Sequence, residues 1–202
     1  MDLVSMSRGR NTMRSSGRRD GERGAVLVET AILIPIIIMI TFGLIEFSMV
    51  YQSSSTGAAA ARAGARTASA EAKLPSYATD AAAAASTALK TIGSDEPVEM
   101  WVYKGNDLGY PGADGTTGFA ICAANCIKYA WLPASKKFDT ANPTGGGWPY
   151  TTQQACDVGS WDSVGVFIKL NHKFLTNLFW SSITLTDHAV FRLEPAPTQM
   201  CG

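Results

Sequence analysis

Histidine is scarce in this chain: His172 and His188 are the only two in 202 residues. That leaves little for a histidine-based metal site or proton shuttle. Net charge is missing altogether, with 17 Lys and Arg against 17 Asp and Glu. A dedicated nucleic-acid binder carries a basic excess, so no nucleic acid is expected as a partner. No GxSxG, HExxH, P-loop or strand-to-helix GxGxxG occurs. Gly145-Gly146-Gly147 runs into Trp148-Pro149 and makes a turn, not a phosphate cradle. The four cysteines, Cys122, Cys126, Cys156 and Cys201, form no CxxC pair and have no histidine at zinc-like spacing. No metal, no cofactor and no enzymatic activity are expected. A second long apolar run is lacking too, so a membrane is crossed at most once.

What is present is very unevenly arranged. Residues 1–24 carry six arginines (Arg8, Arg10, Arg14, Arg18, Arg19, Arg23) against Asp2, Asp20 and Glu22, with almost nothing aliphatic, and are expected to be disordered. From Ala25 to Val50 runs a predominantly apolar stretch whose only charges are Glu29 and Glu46. As a helix this run is about 39 Å long, enough for a hydrocarbon core of about 30 Å. Arginines flanking the first apolar run keep that side in the cytoplasm, which puts the chain after about residue 51 outside. Four cysteines in an oxidising compartment imply two disulfides, with three pairings possible. Pro35 removes one helical hydrogen bond and is expected to kink the span. Glu46 and Tyr51 fall at its outer interface.

Three fates are open to such an N-terminus. The first is a cut by signal peptidase among the small residues around 57–64, although the apolar run is longer than an ordinary signal core. An uncut signal anchor is the second. The third rests on Arg23-Gly24-Ala25-Val26-Leu27-Val28-Glu29, where a basic leader ends at a glycine and a glutamate stands five residues into the apolar run. This resembles the leader of type IV prepilins and pseudopilins. The resemblance implies cleavage between Gly24 and Ala25 by a prepilin peptidase, with Glu29 as the fifth residue of the mature chain. A glycine before the scissile bond leaves an extended backbone unobstructed. Glu29 would then supply the charge opposite the new Ala25 amine, most plausibly that of a neighbouring subunit, because an intramembrane carboxylate is costly unless paired. Thr30 departs from the aromatic residue usual at that position in the Tad class.

Beyond Tyr51 the composition turns to Ser, Gly and Ala. Alanine favours helix and nothing before Pro75 must end it, so the first helix is expected to continue to about Glu71 as a stalk. Small residues at Gly57, Ala60, Ala61 and Gly64 would admit a second helix at close range. Pro75 or Ser76 opens a second helix to about Ile92, with Tyr77, Ala81, Ala84, Ala88 and Ile92 as its inner stripe. After Gly93 the period becomes alternating, with strands expected at Val98–Tyr103, Cys126–Leu132, Ser163–Leu170 and Ile183–Leu193. A short helix is expected over His172–Trp180, and residues 105–118 and 133–160 are turn-rich connections. Asp187 and His188 alternate to opposite faces of a strand, and His172 suits a surface or capping position. The five tryptophans, Trp101, Trp131, Trp148, Trp161 and Trp180, suit the core. The expected pairing is Cys126–Cys156, stapling loop to strand, with Cys122–Cys201 holding the tail.

The Glu-bearing apolar helix, the continuation Ala60-Ala61-Arg62-Ala63-Gly64-Ala65-Arg66 and the closing strands from Val164 to Pro195 are similar to the TadE-like family. Its members are minor pilins or pseudopilins of the Tad (Flp) pilus system. The fold class expected is α+β: a long N-terminal transmembrane helix continuing as a stalk, a second helix, and a small, mainly antiparallel sheet with disulfides. The segments are a 1–24 cytoplasmic leader, a 25–51 transmembrane helix, a 52–93 stalk and second helix, and a 94–202 exported domain. The resemblance implies a single-pass protein of the cell membrane whose partners are other pilins or pseudopilins and a prepilin peptidase. An unprocessed, membrane-anchored extracellular binding or envelope protein is the alternative, and a secreted enzyme the third.

Overall fold

The computed structural model describes residues 18–93, 96–157, 159–176 and 181–201, with side chains from Gly24 onward. Helix α1 runs Arg18–Ala70 and α2 runs Tyr77–Ala88, extended by a 3₁₀ turn at Leu89–Thr91. The strands are β1 (Pro97–Gly105), β2 (Cys126–Leu132), β3 (Lys137–Phe138), β4 (Thr144–Gly147), β5 (Ser163–Lys173) and β6 (Ser182–Arg192). The chain forms two compact units, Met1–Ile45 and Glu46–Gly202.

The first unit is the N-terminal part of α1. Residues 18–23, expected within a disordered leader, are helical. Four of those six are Arg or Glu, good helix formers that extend a helix already nucleated by the apolar run. Residues 1–17 of the expected leader lie outside the described part.

The second unit is a sheet in the order β3-β2-β1-β5-β6, with β4 sharing the outer edge of β2, and every pairing antiparallel. Alternation sorts its side chains. On one face, Met100 and Val102 of β1, Tyr129 and Trp131 of β2, and Val164, Val166, Ile168 and Leu170 of β5 are all buried. Residues 53–72, expected as a stalk, pack in the same core. Ser53, Gly57, Ala60, Ala61, Gly64, Ala65, Ala68, Ser69 and Ala72 are buried at helical spacing. The small-residue stripe expected to admit another helix therefore meets this chain's own sheet and α2. A β-carbon on Gly64 would stand 3.2 Å from the Ala81 carbonyl and from Met100 Cε. Each buried alanine methyl contributes only about 0.8 kcal/mol, so closeness of the backbone replaces side-chain bulk here.

Helix α2 buries Tyr77, Ala78, Ala81, Ala82, Ala85 and Ser86. Of the expected stripe, Tyr77, Ala81 and Ile92 are buried, while Ala84 and Ala88 are only half-buried. A run of five alanines offers no contrast from which to phase the face. The expected connection 133–160 holds the two short strands β3 and β4. Phe138 of β3 packs edge-on against Trp131 at 5.0 Å, and its N–H donates to Ser86 Oγ at 3.1 Å. The Tyr77 hydroxyl donates to the Trp148 carbonyl at 2.7 Å.

The opposite face of the sheet is aromatic. Trp101, Tyr103 and Phe167 lie buried beneath Phe119 of the 106–125 connection, and Phe119 stacks on Phe167 at 4.2 Å. Trp101, Trp131 and Trp148 are core residues as expected; Trp161 is half-buried and Trp180 lies outside the described residues. The helix expected over 172–180 is absent from its described part, because β5 runs on through His172 and Lys173. The disulfides are Cys122–Cys126 and Cys156–Cys201, which corrects the expected pairing. Cys126 begins β2 and Cys122 precedes it by one turn, while Cys156 sits where Ala155 and Ala196 hydrogen-bond, next to the C-terminal tail.

Candidate assembly site

Every described side chain from Gly24 to Ile45 is exposed, including Val26, Leu27, Ile32, Leu44 and their apolar neighbours. A helix apolar on all sides is built for lipid or for other helices. Among the described residues it is one helix that is long and apolar enough to cross a membrane. Its polar side chains are handled locally: Thr30 Oγ1 donates to the Val26 carbonyl at 2.7 Å and Thr41 Oγ1 to Ile37 at 2.8 Å. Such back-bonding satisfies a hydroxyl where water is absent.

Gly24 and Ala25 are adjacent at the start of this apolar surface, with Glu29 just over one helical turn further on. A β-carbon on Gly24 would meet nothing within 4 Å. Glycine in a helix interior costs about 1 kcal/mol relative to alanine, and no contact among the described residues requires it there. Glu29 is exposed and makes no hydrogen bond or ion pair with a described residue.

A second polar feature lies where α1 enters the sheet domain. Ser53 Oγ donates to Glu96 Oε2 at 2.8 Å, and His172 Nδ1 lies 3.2 Å from both Glu96 Oε1 and Ser53 Oγ. His172 is 2% exposed, so the surface position expected for it is corrected. It continues the inward series Val164, Val166, Ile168, Leu170, and its ring meets Phe174 edge-on at 5.7 Å. Serine, histidine and glutamate together suggest a nucleophile with its base. Here hydroxyl and carboxylate converge on the same ring nitrogen, whereas a relay needs them on opposite nitrogens. The arrangement instead ties α1, the start of β1 and the end of β5 with satisfied buried polar groups. It forms the wall of a cleft of about 160 Å³ that also touches Met49 and Gln52. Asp187 faces Gly57 of α1 while His188 faces Phe119 at 5.0 Å, the opposite faces that alternation requires.

The Ser53–Glu96–His172 cluster spans 119 residues of sequence. The one signal for it is the period-2 series of β5, which places position 172 inward once it is carried a step beyond Leu170. The position of Glu46 in the sequence gives only an interfacial placement. In the structure its carboxylate accepts the backbone N–H of Thr176 at 2.6 Å and the Thr176 hydroxyl at 2.5 Å.

Residues 24–66 match the family model described as TadE-like protein. The match takes in the apolar run, Glu29 and the first part of the small-residue stripe, and ends before the sheet. No curated protein and no solved structure matches the chain. The N-terminal segment is thus TadE-like, and with its apolar helix it fits a component of a Tad pilus system anchored through that helix.

Proposed function

We propose that this protein is a minor pilin or pseudopilin of a Tad/Flp-type pilus, inserted with its N-terminus in the cytoplasm and cut after Gly24 by a prepilin peptidase. The mature helix would assemble beside those of other pilins, with Glu29 answering the Ala25 amine of a neighbour. The observation that carries this reading is the pairing of Gly24 and Glu29 at the start of a fully exposed apolar helix, inside the TadE-like match. Neither residue has a partner among the described residues, and both types suit partners outside the chain: a peptidase cleft for the glycine, a charged amine for the carboxylate. The exported domain would stand in the initiating complex or at the tip. On this reading the protein does structural work, without catalytic residue, metal or cofactor.

One observation favours the uncut anchor instead. The backbone is helical from Arg18 through Gly24, so a peptidase must first unwind that turn. N-terminal sequencing of the protein extracted from host membranes separates the readings. Ala25 as first residue supports processing, Met1 or Asp2 supports the anchor, and a start between 60 and 70 supports secretion. A Glu29→Ala variant should be cut normally yet fail to co-purify with its pilin partners. Normal co-purification would refute the pairing role while leaving the cleavage reading intact.

A further inference from the structure

Of the tryptophans within the described residues, Trp101, Trp131 and Trp148 are taken up by the core. Trp161 is not. It is half-buried, and its indole N–H is enclosed without a hydrogen-bond partner among the described residues. Trp161 lines a cleft of about 740 Å³ at the end of the sheet where β1 runs into the 106–125 connection and β5 begins. That volume is in the range of sites that take a small organic ligand. The walls are fixed by the chain itself. The Cys122–Cys126 disulfide closes the segment that carries Asn125. Asn106 organises a second wall: its Oδ1 accepts the N–H groups of Leu108 and Tyr110, and its Nδ2 donates to the carbonyls of Ala113 and Thr116. In a third, Lys104 Nζ pairs with Asp162 Oδ1 at 2.7 Å, while Asp162 Oδ2 accepts the Gln154 N–H at 2.9 Å. Groups already held in place bind a ligand without a large ordering cost.

The lining narrows the class of ligand. Asp107 and Asp114 each give one carboxylate oxygen to a backbone N–H of the loop, that of Gly115 and of Asp107 respectively, and keep the other free among the described residues. The Asn125 side-chain amide is exposed and makes no hydrogen bond with a described residue. Free acceptors and an amide beside an indole suit a molecule with hydroxyls at its edge and C–H groups on its face, because the negative face of an aromatic ring attracts such C–H groups. One lysine against three aspartates leaves the lining at −2, which repels phosphate, sulfate and carboxylate groups. Strand β1 is paired on both sides, by β2 and β5, so no open strand edge is offered there to a peptide, and no helix borders the cleft. We propose that this cleft binds a neutral saccharide, its ring stacked on Trp161 and its hydroxyls held by the free oxygens of Asp107 and Asp114 and by the Asn125 amide. This goes beyond the assembly reading and does not depend on it, since the cleft lies wholly within Glu46–Gly202.

The test uses the full-length chain in a sugar-free detergent, passed over an array of immobilised neutral, sialylated and sulfated oligosaccharides. The retained sugars, and a polylysine peptide for comparison, are then titrated by calorimetry. Neutral saccharides should be retained and their sialylated or sulfated forms rejected. Trp161→Ala should weaken binding about tenfold or more. Asn125→Gly should weaken it several-fold with the fold intact, because the backbone there is left-handed at φ 54° and suits glycine. Tyr150→Ala, at an exposed aromatic outside the cleft, should change nothing. The urea midpoint of each variant identifies a folding failure, and Asn125→Gly carries the test if Trp161→Ala does not fold. Retention of no neutral saccharide overturns the proposal, as does equal retention of the acidic forms. Binding that both cleft variants leave unchanged puts the sugar elsewhere on the chain and overturns it too. Binding of polylysine in place of saccharide overturns it in favour of basic side chains of a partner protein.

Discussion

Replacing Gly165 with alanine probes how tightly the aromatic face of the sheet is packed. Gly165 of β5 lies directly across from Tyr103 of β1. A β-carbon there would overlap the tyrosine ring at Cζ and Cε2 and stand 2.5 Å from Oη. Carbon–carbon contacts need about 3.5–4.0 Å, so the ring must shift by more than an ångström. It has nowhere open to go: Tyr103 is fully buried, packs edge-on against Phe119 at 5.8 Å, and donates to the Gly109 carbonyl at 3.0 Å. Overpacking costs about 1–3 kcal/mol, and losing the hydroxyl's hydrogen bond about 1 kcal/mol more. Removing a strand glycine returns about 0.5–1 kcal/mol. The net expectation is a loss of about 2 kcal/mol, read from urea unfolding of the full chain in detergent followed by tryptophan fluorescence. In a Tyr103→Leu background the same substitution should cost nothing or stabilise slightly. A loss under about 0.5 kcal/mol in the parent, or an equal loss in both backgrounds, would refute the steric account.

Two further expectations concern the phenols and the disulfides. Burial pushes the Tyr77, Tyr103 and Tyr129 hydroxyls above the usual phenol range, Tyr129 to about 12, with Tyr129 and Tyr110 adding repulsion at Tyr77 and Tyr103 respectively. Because the folded state holds these protons longer than the unfolded chain, their contribution is complete below about pH 10 and is lost as pH rises through the raised values. Phenolate absorbance should therefore show these three ionising late and together with alkaline unfolding; early ionisation of all tyrosines without unfolding would contradict their burial. Cys156–Cys201 closes a separation of 45 residues and Cys122–Cys126 one of only 4. Loop entropy then assigns about 4 kcal/mol to the first and about 2 kcal/mol to the second. Paired Cys→Ser variants should rank in that order by urea midpoint, and mass mapping of unreduced peptides should recover these two links and not Cys126–Cys156.

The elements with strong periodicity were legible in the sequence. Cys126–Leu132 is β2 to the residue, and the inward series of Ser163–Leu170 was correct as far as it was carried. Two kinds of information were not legible. One is phase without contrast: five successive alanines cannot say which of them face the sheet, and the packed neighbours alone decide. The other is chain reversal in three dimensions. Nothing local brings Ser53 to His172 or Glu46 to Thr176, because both contacts depend on how α1 lies across β5. The disulfide pairing failed for a related reason. The expected pairing gave Cys122 and Cys126 each a distant partner, yet the two are linked to each other and close the turn that starts β2. Position 172 was the recoverable miss. Extending the alternation by one step would have placed the histidine inward, and a buried histidine demands partners.

Helix α1 shows why the residue most at home in its N-terminal unit is absent from the face it buries further on. From Gly24 to Ile45 its large aliphatic side chains are exposed, while from Gly57 to Ser69 its buried positions are glycine, alanine and serine. Ordinary amphipathic logic would bury the large residues and expose the small ones. The inversion follows if the two stretches have different surroundings. Isoleucine, leucine and phenylalanine gain from apolar surroundings outside the chain, which lipid or neighbouring helices provide. Against a sheet already filled by Met100, Val166, Ile168 and Leu170, bulk is excluded: even a β-carbon on Gly57 would come within 2.9 Å of Leu170 Cδ1. The exposed stretch is thus shaped for partners and the buried one for its own domain. The helix changes from one to the other between Glu46 and Ser53, where two of its long-range polar contacts, to Thr176 and to the Glu96–His172 pair, are made. A polar clasp at that position lets the domain grip the helix without adding bulk to the sheet-facing stripe.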